Sequence, residues 1–306
     1  MRWLGAVGLG AAGPECSVEW LSGDVSPRRY YRVRSGDDSA IVAFYPPELR
    51  PVGRRFQRTS ELLAAAGVRV PAIRRFDEDA GLMMLEDLGT ETLFDWRGRP
   101  WDALSPSLEA ALAAARRVAR IDVGALAELL PPLDAVGLER ELGVTWDVFL
   151  VPQGLTGDET LRRRLRARLE VLCAELEAEG LVPCHRDFMA RNLVPVPATG
   201  EIAVLDHQDL RLGPRSYDVA SLFNDSLFPP ERVVRELAGD EIWRSAGYHR
   251  AVVQRTLKIV GTFVSFARRG EPRYLPMVPM SLARCLESLA ALPDDGGLAS
   301  DLRRTW

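Results

Sequence analysis

The stretch "HRDFMARNL", His185 to Leu193, sets an aspartate five residues ahead of an asparagine, with a histidine and an arginine just before the aspartate. After a short insertion the apolar run "IAVLD" ends on a second aspartate, Asp206. The spacing between Asp187 and Asn192 fits a loop that returns on itself. The residues from there to Asp206 leave room for a turn and two short strands, so one hairpin carries Asp187, Asn192 and Asp206.

The sequence around this hairpin falls into two styles. From Val18, "VEWLSGDVSPRRYYRVRSGDDSAIVAFYPPE" alternates apolar and polar residues between turn formers, which predicts antiparallel strands with a tight turn at Gly36, Asp37 and Asp38. "RRFQRTSELLAAAG" has helical spacing and a stop at Gly67. "VRVPAIRRFDEDAGLMMLEDLG" resumes strand character with a turn near Asp79 to Gly81. Beyond Gly89 the pattern changes to long amphipathic helices, first "SLEAALAAARRVARIDV" and "ETLRRRLRARLEVLCAELEAEG", then most of the chain from Val233 onward. The expected fold is α+β and bilobal: residues 1–88 form a small antiparallel-sheet N-lobe with one helix, and residues 89–306 a larger helical C-lobe. Clefts between lobes are where small ligands bind, and the two aspartates can face one.

Composition limits what such a molecule does. The 306 residues can bury a substantial core, and 47% hydrophobic with 27% charged residues excludes wholesale disorder. A net charge of -4 argues against a nucleic-acid binder that works by neutralising phosphates. Cys16, Cys173, Cys184 and Cys285 form no CxxC pair, so neither a zinc site nor a disulfide framework is expected, and reduced thiols are the default. The opening "MRWLGAVGLGAAG" faintly imitates a leader, but a cytoplasmic protein is expected. No later stretch reaches the ~20 apolar residues of a membrane span. The apolar helix stripes fit core or interface equally, which leaves the oligomeric state open.

Phosphoryl transfer from ATP requires a carboxylate near the acceptor hydroxyl and oxygen ligands for Mg²⁺. Asp187 can orient the hydroxyl or take its proton, Asn192 can offer its amide oxygen to the metal, and Asp206 can supply the main anionic ligand. "HRDFMARNL" with "VLDHQD" resembles the catalytic and metal-binding pair of the aminoglycoside phosphotransferase and choline kinase superfamily, relatives of protein kinases. "LSGDVSPRRYYRV", "LLAAAGVRVPAI", "MMLEDLG" and "LGPRSYDVASLFND" fall in the order of the branch containing the bacterial anomeric N-acetylmuramate/N-acetylglucosamine kinases. The resemblance spans roughly residues 20 to 230, about one domain or two. It implies that Asp187 is the catalytic base, Asn192 and Asp206 the Mg²⁺ ligands, and Glu86, Asp87 and Leu88 a hinge that pairs with adenine. It also implies that His185 supports the loop from behind, while Asp218 braces it through its backbone or through Arg186.

One feature departs from the superfamily. The third strand reads "AIVAFYPP", without the lysine that commonly holds the α and β phosphates. Either the protein is a pseudokinase, or another cation substitutes. Arg28 and Arg29 in the nucleotide loop are the candidates, and Glu61, the helix position that would pair with that lysine, reads as a surface charge. His207 is expected to fill an apolar slot, Asp209 to form a turn, and His249 has no assigned role. Trp146 and Phe149, in "GVTWDVFLVPQG", have the spacing of core residues, yet they lie where the superfamily builds its acceptor pocket, so Trp146 is carried as a sugar contact.

The expected function is an ATP- and Mg²⁺-dependent kinase acting on a sugar hydroxyl, with the anomeric hydroxyl of an N-acetylated hexosamine as the leading acceptor. An aminoglycoside or another small alcohol is the second choice, because residues 131–180 mix charges instead of clustering the carboxylates that a polycationic drug needs. A nucleotide-binding pseudokinase is the non-enzyme alternative.

Overall fold

The computed structural model describes residues 16–21, 28–126 and 128–305. The leader-like opening and residues 22–27 of the nucleotide loop lie outside them. Five strands, β1 (Cys16–Leu21), β2 (Arg29–Ser35), β3 (Asp38–Phe44), β4 (Ile73–Asp77) and β5 (Leu82–Glu86), form an antiparallel sheet in the order β1-β2-β3-β5-β4. The β2–β3 hairpin turns through Gly36 and Asp37, and Gly36 sits at φ 58°, a conformation open to glycine at no steric cost.

Alternation along the strands sends Val33, Ala40, Val42 and Met84 to one face and Ala43, Met83 and Leu85 to the other. The second face packs with Phe56 of helix α1 (Arg50–Ala65), which also buries Thr59, Ser60 and Leu63. The chain leaves α1 through Gly67 at φ 72°, where the sequence placed the stop.

After β5 the chain crosses to a helical lobe. Its helices are α2 (Trp101–Val118), α3 (Ala135–Thr145), α4 (Glu159–Ala178), α5 (Tyr217–Asn224), α6 (Glu231–Ala238), α7 (Asp240–Trp243), α8 (Ala246–Arg268), α9 (Val278–Ala291) and α10 (Leu298–Leu302). Asp134 and Asp158 accept from the backbone N–H groups of Gly137 and Leu161, each at 2.8 Å, and so fix where α3 and α4 begin. Trp146 to Leu155 continue α3 as a π-helical segment containing Pro152. Helix α8 is the central buried rod. At Gly261 it passes so close to α3 that a Cβ would lie 2.6 Å from Thr145 Cα. Between α4 and α5, the strands β6 (Leu181–Cys184) and β9 (Arg211–Pro214) pair, and the hairpin β7 (Leu193–Val196) and β8 (Glu201–Val204) stands between them. No helix among the described residues is long and apolar enough to cross a membrane.

Candidate active site

The loop between β6 and β7 carries His185, Arg186, Asp187 and Asn192. Arg186 is held at φ 76°, a left-handed conformation that costs an L residue energy. Asp218, buried in the first turn of α5, offsets that cost: its two carboxylate oxygens accept the N–H of His185 at 2.7 Å and of Arg186 at 3.0 Å. Burial pushes the Asp218 carboxyl up from its ordinary pKa, while the nearby His185 imidazole and these backbone donors pull it back. His185, fully buried, lies edge-on to Phe188 with its Nε2 2.8 Å from the carbonyl of Leu205.

Asp187, with 20% of its side chain exposed, receives two cations on one oxygen. Arg255 Nη2 donates to Oδ1 at 2.8 Å and Lys258 Nζ to the same atom at 2.9 Å, while Arg186 Nη1 stands 3.6 Å from Oδ2. Burial alone would raise this carboxyl, but Lys258, Arg255 and Arg186 together hold it well below the usual carboxylate range. Asp187 is therefore a fixed anion. Asn192 donates its side-chain amide to the carbonyl of Asp187 at 2.9 Å.

Asp206 follows β8 at φ 56° and keeps 40% of its side chain exposed. Its Oδ1 accepts from Arg28 Nη2 at 2.9 Å and from Gln208 Nε2 at 3.0 Å, and Arg28 also reaches Gln208 Oε1 at 3.1 Å. An arginine at the base of the sheet lobe thus spans the cleft to the C-lobe. A second tie lies behind it. His207 is buried, stacks on Phe56 at 4.2 Å between ring centroids, and places Nδ1 2.8 Å and Nε2 3.3 Å from the hydroxyls of Thr59 and Ser60. Burial pushes its pKa down to about 3, so it works as a neutral wedge between α1 and the loop after Asp206.

The cleft between the lobes encloses about 970 Å³, with Tyr30, Ile41 and Leu85 on the sheet side and Arg186, Asn192 and Asp206 on the other. Residues 86–88 form part of its wall, and the acidic side chains there are spent on ion pairs. Glu86 pairs with Arg69 and accepts from Ala72 N, while Asp87 takes Arg32 at 2.6 and 3.0 Å. As a Mg²⁺ site the residues fit. With its Nδ2 committed to Asp187, Asn192 has Oδ1 left, Asp206 has Oδ2 left, and a cation that keeps several waters and takes phosphate oxygens needs only one or two such protein ligands.

The sequence model described as "Phosphotransferase enzyme family" matches residues 17–251. The chain belongs to that family. It is similar to the N-acetylmuramate/N-acetylglucosamine kinase of Pseudomonas aeruginosa, 36% identical over 303 residues that cover 91% of this chain and 85% of that protein. Among solved structures, choline kinase LicA from Streptococcus pneumoniae superposes with a TM-score of 0.62 at 16% identity, covering 98% of this chain and 97% of the other. The streptomycin–ATP–APH(2″)-IIa ternary complex gives 0.61 at 14% identity over 86% and 88%. At those identities the likeness is one of fold.

Within this phosphotransferase, two sequence expectations need correction. Arg29, offered beside Arg28 as a phosphate cation, begins β2 with its side chain exposed and is absent from the cleft wall, because neighbouring strand residues point to opposite faces. Trp146, carried as a sugar contact, is 7% exposed in the helical core with the Arg166 guanidinium of α4 over its ring at 5.5 Å. Core spacing was the correct reading for it. Asp209 does more than turn the chain: it accepts from Arg186 Nη1 at 2.9 Å.

Sequence reasoning missed Arg255, Lys258, Asp225 and Glu141. Arg255 is fully buried, spans Asp225 and Asp187, and donates to the carbonyl of Arg186 at 2.8 Å. Glu141 of α3 takes Arg186 Nε at 2.7 Å. One signal was available: Lys258 is the sole lysine of the chain.

Proposed function

We propose that this phosphotransferase is an ATP- and Mg²⁺-dependent kinase that phosphorylates the anomeric hydroxyl of an N-acetylhexosamine, N-acetylmuramate or N-acetylglucosamine. The observation that carries the reading is the placement of Asn192 and Asp206 on the C-lobe wall of the interlobe cleft, with Asp187 held to Asn192 through its carbonyl at 2.9 Å and its neighbour Arg186 also on that wall. The similarity to a kinase named for those two sugars supports the choice of acceptor.

Each residue then has a task. The hinge, residues 86–88, receives adenine. Arg28, already at Asp206, turns toward the phosphates and takes over the charge of the missing third-strand lysine. Asn192 and Asp206 would hold Mg²⁺, which would supply positive charge against that of the phosphates. Asp187 orients the acceptor hydroxyl. The acceptor oxygen contributes the electron pair of the new P–O bond, and the bond to the ADP oxygen breaks with its pair going to ADP. The proton passes through Asp187 to solvent. An anion with so low a proton affinity suits orientation and late proton transfer, as a loose transition state asks. Asp218 and His185 hold the loop's backbone shape.

Phosphorus NMR of the protein with Mg-ATP and a panel of N-acetylmuramate, N-acetylglucosamine, glucose, choline and an aminoglycoside tests this, with Asp187→Asn as control. The expected result is a new anomeric sugar-phosphate doublet that the variant does not produce. ATP binding with silence across the panel would instead support a pseudokinase.

A further inference from the structure

We propose that Lys258 is a second phosphate-contacting catalytic residue, which bridges the Asp187 carboxylate and the phosphoryl group in transfer; this rests on the kinase reading. An ammonium group has three protons to donate. One goes to Asp187 Oδ1 at 2.9 Å; the other two make no hydrogen bond to a described residue, although the ammonium lies near enough to Glu141 to help hold its carboxyl below the ordinary range. The side chain is 14% exposed, so those protons are neither sealed in the core nor dispersed in solvent.

Arg255, one helical turn earlier on the same face of α8, shares that oxygen but is already committed. Asp225 takes its Nε and Nη2, the Arg186 carbonyl its Nη1, and its side chain is 1% exposed. Arg255 is therefore scaffold, and Lys258 is the cation with capacity left. The rod that carries both is fixed against α3 at Gly261, which limits how far the ammonium can drift.

The electrostatic need is specific to this site. A transferring phosphoryl group keeps its negative oxygens beside Asp187, a carboxylate that stays ionised, and two anions at that separation repel unless a cation lies between them. Arg28 stands on the Asp206 side of the cleft, where it is assigned to the nucleotide phosphates, and is not among the cations bonded to Asp187. A compact point charge suits a moving phosphoryl group better than a planar fork. In a chain whose 39 basic side chains are otherwise all arginine, lysine stands at this one position.

A lone lysine makes the test unambiguous. An acyl-phosphate ester of ATP carries an acyl group on its terminal phosphate; a neighbouring amine attacks the carbonyl, the amide forms and ATP leaves. Peptide mapping of the full-length protein treated with this probe should place the label on Lys258, with protection by ATP. In parallel, Lys258→Met should lower kcat by about 10²- to 10³-fold, the usual loss for one transition-state donor, with the sugar KM within about threefold. Lys258→Arg should recover part of that loss. Absence of label on Lys258 in protein that binds ATP, or a Met variant with unchanged kcat, overturns the proposal. A wild-type protein inactive on every acceptor overturns the kinase reading instead.

Discussion

The side-chain amide of Asn192 is bonded to the main-chain carbonyl of Asp187 at 2.9 Å, so the two residues of the Asp-x4-Asn spacing hold each other. The bond uses the nitrogen and turns the amide oxygen away, which is the orientation a metal ligand needs. Asn192→Ala should therefore raise the Mg²⁺ concentration giving half-maximal rate by about tenfold, equivalent to about 1.4 kcal/mol. Titrating Mg²⁺ at fixed ATP reads this; an unchanged half-maximal value would remove Asn192 from the metal site.

Asp187 and Asp206 should separate by phenotype. Asp187→Asn keeps the size of the side chain and removes the charge that faces the acceptor, so Mg-ATP affinity should stay within about threefold while turnover falls by about 10²- to 10⁴-fold. Asp206→Ala should weaken Mg-ATP binding itself. Calorimetric titration of each variant with a nonhydrolysable ATP analogue distinguishes the two, and equal binding by both would undo the division of labour.

Much of this was legible because it is local. Alternation, helix periodicity and Gly67 place the sheet, α1 and the long helices, and the spacing of Asp187, Asn192 and Asp206 is a property of one hairpin. The network that fixes Asp187 is not local. Arg255 and Lys258 arrive from a helix about 70 positions further along, and Glu141 from one that precedes the loop, so no window of sequence brings them together. Trp146 failed for a related reason: an aromatic beside a cleft and an aromatic in a core have the same spacing. Arg29 illustrates the period of two: it is exposed while its strand neighbour Tyr30, like Arg28 just before the strand, lines the cleft.

That difference between neighbours is itself testable. Arg28→Ala should raise the apparent KM for ATP by about tenfold or more, as loss of a charge-assisted phosphate contact requires. Arg29→Ala, an exposed change, should leave it within about twofold and stability within about 0.5 kcal/mol. Steady-state kinetics at saturating sugar are sufficient, and an identical response of both variants would refute the assignment.

Asp218 acts through the backbone. In Asp218→Ala the N–H groups of His185 and Arg186 lose their acceptor inside the protein, at about 1–3 kcal/mol for each buried group left unpaired. Arg186 also loses the restraint that keeps it at φ 76°. Both Tm and kcat should fall, with kcat depressed even at temperatures where the variant is fully folded. A folded variant with normal turnover would mean that the loop holds its shape without Asp218.

His207 gives the pH dependence. In the folded protein burial pushes its pKa down to about 3 from an ordinary value near 6.5, so between these values the unfolded chain binds a proton that the folded one refuses. Stability from this group is therefore full above pH 6.5 and falls as the pH drops toward 3. Over the two units from pH 6.5 to 4.5 the loss is about 2–3 kcal/mol. His207→Gln retains polar contacts to Thr59 and Ser60 but cannot titrate. It should be less stable than wild type at pH 7, since it forfeits the stack on Phe56, and yet lose about 2–3 kcal/mol less on acidification. Urea unfolding of both proteins at pH 7 and pH 4.5 measures the difference; parallel losses would show that His207 is not held neutral between α1 and the loop after Asp206.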